Sequence, residues 1–111
     1  MSSYYEGAPT MYDMVNLKKL APLGTAAPAA MAAFQAFGEA ALADGAIPKK
    51  YKELMAVAVA LTTQCPYCLE VHRKAAEAAG ATFEELAEAT FVAAALRAGA
   101  AVTHGAHLVH G

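Results

Sequence analysis

No stretch of this chain alternates apolar and polar residues as a half-buried strand must, and alanine is its commonest residue. Alanine is the best helix former because ordering it costs no side-chain entropy, so the pattern predicts an all-α fold. Punctuation then places the helices. Pro28 suits a first turn and opens a helix to about Ala43, stopped by Asp44-Gly45. Pro48 opens a second, to about Thr62, with Leu54, Val57, Ala58 and Leu61 at the i, i+3, i+4, i+7 spacing of one buried face. After Thr63-Gln64 a third helix begins at Cys65 or Pro66 and stops at Gly80. Thr82 followed by Glu85 matches a capping box and starts a fourth, reaching about Ala98. Gly99 either separates a last helix, Ala100 to Val109, or lies within a continuous one. No internal repeat is visible. Residues 1–20, with Gly7, Pro9 and scattered tyrosines, read as an N-terminal arm. Residues 21–111 read as one compact helical-bundle domain of about five or six helices with short connections.

A domain this size has little interior, yet 58% of its residues are hydrophobic and 16% are charged. Ordinary globular chains carry nearer a quarter charged residues. Contiguous exposed apolar surface marks interfaces, so the excess points to a homo-oligomer. The net charge of −2 lacks the basic footprint of a nucleic-acid binder. No uninterrupted apolar run reaches membrane-span length: Leu54–Leu61 is short and Arg97 interrupts the later one. The first ten residues have no signal-peptide pattern, so the expected setting is the cytoplasm. There a close cysteine pair is catalytic or metal-binding more often than a structural staple.

Cys65 and Cys68 are the chain's two cysteines, and they form a C-x-x-C pair at a helix start. Free N–H groups and the helix dipole there favour a thiolate, while the spacing brings a resolving sulfur close. Successive helical residues advance by about 100°, so Cys68 and His72 at i, i+4 lie about 40° apart on one face. An imidazole beside a thiol can take its proton. Cys68 is nearest that base and is therefore expected to attack, unlike the thioredoxin pattern, in which the first cysteine does. Cys65, Cys68 and His72 could instead be zinc ligands, but a closed site needs four, with His104 or His107 as the available fourth. The expectation is a redox dithiol with no metal and no cofactor.

Glu53 points along an apolar face with Ala56, Val57 and Ala60 as helical neighbours. A carboxylate there must be paired or shifted. It is a candidate for proton transfer, or simply a partner for Lys49 or Lys50. His104, His107 and His110 form H-x-x-H-x-x-H. The third drifts about 120° from the first around a helix, a poor metal face. His104 is either a residue near the site or part of a subunit contact.

Taken together, Glu53, eleven residues, Cys65-Pro66-Tyr67-Cys68 and Leu69-Glu70-Val71-His72 resemble the alkylhydroperoxidase D-like group of the carboxymuconolactone decarboxylase family. The likeness extends from Pro48 to Leu108, including the Ala93–Gly99 run. It implies a helical fold assembled as a homotrimer or homohexamer, and a peroxidase or disulfide reductase acting on a hydroperoxide or other small substrate. Cys68 would be the attacking thiol, Cys65 the resolving one, and Glu53 with His72 the proton relay. The implied electron donor is an external dithiol, lipoyl or thioredoxin-like. Some members carry a histidine where this chain has Tyr67, and a phenol is no near-neutral proton shuttle, so Tyr67 is left a supporting role. Other members are cofactor-free decarboxylases, which keeps lyase or isomerase chemistry on a small lactone acid as an alternative, beside a non-catalytic zinc or oligomerisation module.

Overall fold

A computed structural model describes residues 12–111; most of the expected arm, residues 1–11, lies outside the described residues. Among these the chain is helical throughout, with no strand. Five α-helices run in order: α1 (Leu20–Ala26), α2 (Pro28–Leu42), α3 (Lys49–Thr63), α4 (Pro66–Ala78) and α5 (Phe83–His104). Short 3-10 turns lie at Met14–Lys19 and Gly105–Leu108. The chain forms two units, one ending at Glu39 and the other spanning Ala40–Gly111.

In the first unit Asp13 caps the turn at Met14–Lys19, its Oδ1 accepting the Val15 N–H at 2.9 Å. Helix α1 was not expected from the sequence, since Pro22 and Gly24 weaken helix propensity over its seven residues. Gly24 serves packing here. A Cβ at that position would stand 2.9 Å from Met31 Cγ, so only glycine lets α1 approach α2 so closely. Helix α2 buries none of its residues, and Phe34 and Phe37 are exposed.

The second unit is built on α3, which packs against both α4 and α5. Its entry is fixed from outside the helix, because Pro48 at the N-cap offers no side-chain acceptor. Asp44 Oδ1 takes the Lys49 N–H at 2.7 Å instead, satisfying one of the donors every helix start leaves free. The fully buried stripe of α3 is Glu53, Val57 and Ala60, whereas Leu54 and Ala58 are half-buried. The face is thus turned by about one residue from the aliphatic stripe the spacing suggested. The reason is visible in the partners. Ala60, Ala76 and Ala93 are all buried, and helices approach most closely where their contact residues are small.

Helix α5 starts at the expected capping box: Glu85 N–H donates to Thr82 Oγ1 at 3.1 Å, and Thr82 N–H to Glu85 Oε1 at 2.9 Å. It then runs unbroken through Gly99 to His104. With its terminal turn, Phe83–Leu108 is long and apolar enough by composition to cross a membrane; the helix also carries Glu84, Glu85, Glu88 and Arg97. Its contact with α3 includes the Lys50–Glu85 ion pair at 2.9 Å and the Arg97 Nη1 bond to the Thr62 carbonyl at 2.6 Å. Of its 22 residues only Ala93 is buried.

Candidate active site

The path from α3 into α4 is a sharp reversal. Gln64 ends α3 in the left-handed region, at φ 57°, and both its N–H and that of Cys65 turn back to the Ala60 carbonyl. Arg97 holds the same corner by capping the Thr62 carbonyl. Cys65 is then the extended N-cap of α4 and Pro66 its first residue, where a missing N–H costs nothing. As N-cap, Cys65 uses sulfur where serine or aspartate is usual, its Sγ accepting the Cys68 N–H at 3.3 Å.

Both cysteines are free thiols, with Cys65 Sγ and Cys68 Sγ in hydrogen-bond contact at 2.7 Å. This geometry splits the pair. The Cys65 thiol is pushed below its usual range, chiefly by its hydrogen-bond contact with the Cys68 thiol, then by the backbone N–H groups of Cys68 and Tyr67. The Cys68 thiol is pushed up, first by its hydrogen-bond contact with the Cys65 thiol, then by burial and by the charge on Cys65. Cys68 is the sulfur that sequence spacing placed nearest the His72 base.

Across from this turn, His72 Nδ1–H donates to Glu53 Oε2 at 2.7 Å. Glu53 is 2% exposed, and Lys49 Nζ, one helical turn earlier, contacts its other oxygen at 3.3 Å. The sequence offered a relay or a lysine pair as alternatives for Glu53; the carboxylate contacts both His72 and Lys49. With Nδ1 donating to Glu53, a neutral His72 keeps its lone pair on Nε2, the nitrogen available as a base. Tyr67 stands half-buried between the cysteines and contributes its backbone N–H to Cys65. His104 is not drawn into this network by the bonds described: its Nδ1–H donates to the Ala100 carbonyl of its own helix at 2.7 Å, and its ring lies 5.9 Å from His107. Among the described residues no group of three or more metal-ligating side chains comes together.

Lys49 was named from the sequence only as an alternative partner of Glu53, from its i, i+4 spacing, and Arg97 was not singled out. Arg97 carried only the signal of a lone charge in an alanine run. A groove of about 590 Å³ also runs between α3, α4 and α5, lined by Val57, Leu61, Leu69, Phe83 and Phe91. Neither cysteine, nor His72, nor Glu53 lines it.

This dithiol and buried Glu–His pair coincide with a family assignment. The sequence profile of the carboxymuconolactone decarboxylase family matches residues 28–110. The chain belongs to the carboxymuconolactone decarboxylase family. A protein from the cox locus of Paracoccus denitrificans, itself uncharacterised, is 47% identical over 97 residues, covering 85% of this chain and 87% of the relative. An uncharacterised protein of Cupriavidus necator is 45% identical over 71 residues, 64% of this chain and 63% of its own length. Among solved structures, apo-lpg0406, a carboxymuconolactone decarboxylase family protein of Legionella pneumophila, superposes with a TM-score of 0.69 at 38% identity. That likeness covers 72% of this chain and 71% of the other.

Proposed function

We propose that this family member is a thiol-dependent oxidoreductase, a peroxidase or disulfide reductase whose dithiol is Cys65 and Cys68 and whose proton relay is Glu53 and His72. The single observation that carries this is the pair of free sulfurs 2.7 Å apart at a helix start, one of them lowered and the other raised. An activated attacker beside a resolver is what two-step thiol oxidation needs. A hydroperoxide oxidises one sulfur to a sulfenic acid, the second sulfur condenses with it to a disulfide, and an external dithiol restores the pair. A lipoyl group or a thioredoxin-like protein has the required chemistry. A cytoplasmic setting, where thiols are kept reduced, suits such recycling.

The working form is proposed to be a homotrimer or homohexamer. Phe83, Phe91, Leu96 and Val102 are 79%, 73%, 67% and 78% exposed, and exposed apolar side chains on one helix suit burial against another copy. The test is coupled turnover with a hydroperoxide and a dithiol donor, comparing the wild type with the Cys65→Ser/Cys68→Ser double variant. Turnover that survives loss of both sulfurs sinks the proposal. The family name favours a second reading, cofactor-free decarboxylation or isomerisation of a small lactone acid, with Glu53 and His72 as acid and base. In that case the double variant keeps its activity on the lactone.

A further inference from the structure

The carboxylate of the proposed relay meets more than its histidine. Glu53 is 2% exposed, and its two oxygens are divided. Oε2 accepts from His72 Nδ1–H at 2.7 Å, while Oε1 faces Lys49 Nζ at 3.3 Å. Lys49 stands where its own helix does not favour its charge. It is the first residue of α3, whose first turn carries no acidic side chain, and the positive end of a helix dipole disfavours a cation there. The ammonium is held by Glu53 and by the Leu42 carbonyl at the end of α2, 3.4 Å away. The neighbouring charges are engaged elsewhere. Lys50 pairs with Glu85 at 2.9 Å and Lys52 donates to the Ala43 carbonyl at 2.6 Å. On α4, Arg73 and Lys74 pair with Glu70, and the two thiols contact each other. On α5, Arg97 is on the Thr62 carbonyl. Among the described residues, Lys49 is the one lysine or arginine in contact with Glu53.

We infer that Lys49 is a positioning residue of the relay: its ammonium keeps Glu53 an accept-only carboxylate, which holds the His72 proton on Nδ1 and leaves Nε2 bare to take the proton of Cys68. The inference rests on the dithiol reading and adds a third member to its Glu–His pair.

The physical reason is charge balance. A carboxylate shut off from water and left with an imidazole alone draws in a proton, since an unpaired buried charge is costly. That proton has two homes along the bond between them. On Glu53 Oε2 it makes the carboxyl a donor to Nδ1, and the proton of the ring moves to Nε2. On the ring it makes an imidazolium, which again carries Nε2–H. In either case the nitrogen that should accept from Cys68 is already filled. The Lys49 ammonium supplies the positive charge that this extra proton would otherwise bring, and it does so without occupying the ring. With Nε2 bare, the Cys68 thiol gives up its proton to it and becomes a thiolate. The imidazolium so formed faces the Glu53 carboxylate until its proton passes to solvent.

Imidazole nitrogen NMR tests this directly, with His72→Asn assigning the signal among the chain's 4 histidines. The comparison is made at the pH where wild-type Nε2 is half protonated. There Lys49→Met is expected to raise the ratio of protonated to bare Nε2 about tenfold, the low end for a nearby unit charge because Lys49 is itself half exposed. Lys49→Gln, which can still donate to Glu53 but carries no charge, is expected to do the same, and Lys49→Arg to restore the wild-type ratio. In the same samples, disulfide closure by cumene hydroperoxide is expected to slow about fivefold in the two neutral variants, as the bare fraction falls from about a half to about a tenth. A nitrogen as bare in both neutral variants as in wild type overturns the inference. So does a filled nitrogen with closure at the wild-type rate, since Lys49 would then act on a group the reaction does not use. If wild type closes no disulfide while the nitrogen responds as expected, the dithiol reading falls and the hold of Lys49 on His72 stands.

Discussion

Glu53 and His72 meet 2.7 Å apart, across two helices and 19 residues of sequence, with the carboxylate almost wholly shielded from water. A buried carboxylate accepting from one imidazole nitrogen fixes the tautomer and orientation of the ring and leaves the other nitrogen as a base. Replacing Glu53 with glutamine keeps the shape and removes the charge. General acid–base help is worth about 10²–10⁴-fold, so Glu53→Gln is expected to slow disulfide closure by about 100-fold or more. Rapid-quench thiol counting after a hydroperoxide measures this, and closure at the wild-type rate would place Glu53 outside the chemistry.

Lys49 supplies the counter-charge on the second oxygen of Glu53. Its own side chain is 46% exposed, so solvent screens the pair and the full cost of breaking a buried ion pair does not apply. Lys49→Met is expected to lower unfolding free energy by about 1–2 kcal/mol, in the range of a hydrogen bond to a charged group. Lys49→Arg should recover most of it. Urea denaturation measures both variants, and indifference to the methionine would show that His72 alone satisfies the carboxylate.

Ala76 is 0% exposed at the contact of α4 with its neighbours, where no volume is spare. Ala76→Val adds two methyl groups to a close helix contact, and overpacking of this kind costs about 1–3 kcal/mol. The same substitution at the exposed Ala78 is the control. Equal losses at both sites would mean that β-branching in the helix, rather than packing, sets the effect.

The tie between α3 and α5 should also titrate. Glu85 is held below the usual carboxylate range, first by the Lys50 ammonium and then by the Thr82 N–H. A depressed folded-state value means its contribution is present above the ordinary carboxylate range and is lost as pH falls through the depressed one. Wild type and Glu85→Gln are therefore expected to differ in melting temperature at neutral pH and to converge in acid. A difference that stays constant down to pH 2 would contradict the assignment.

Much of this was legible in the sequence because short-range rules set it. Alanine propensity fixed the helical class, and the Thr82–Glu85 box and Pro66 marked two helix starts that the structure keeps. Glu53 stood out as a charge on an apolar face, and its partner His72 stood out through Cys68. Other features depend on tertiary detail. Helix α1 forms over a proline and a glycine because Gly24 allows contact with Met31, which no propensity scale records. The buried stripe of α3 runs through Glu53, Val57 and Ala60 rather than through its leucines. Spacing shows that Cys68 shares a face with His72, but not that Cys65 would take the N-cap of α4 and turn its sulfur onto the Cys68 N–H.

The central claim is that Cys65 and Cys68 work as one redox pair. The most direct measurement counts free thiols per chain in the reduced protein, before and after one equivalent of cumene hydroperoxide, and again after a dithiol donor. A working pair predicts that two thiols disappear together, that peptide mapping finds them joined within one chain, and that the donor returns both. Two thiols persisting through the oxidant, or one lost without its partner, would contradict it.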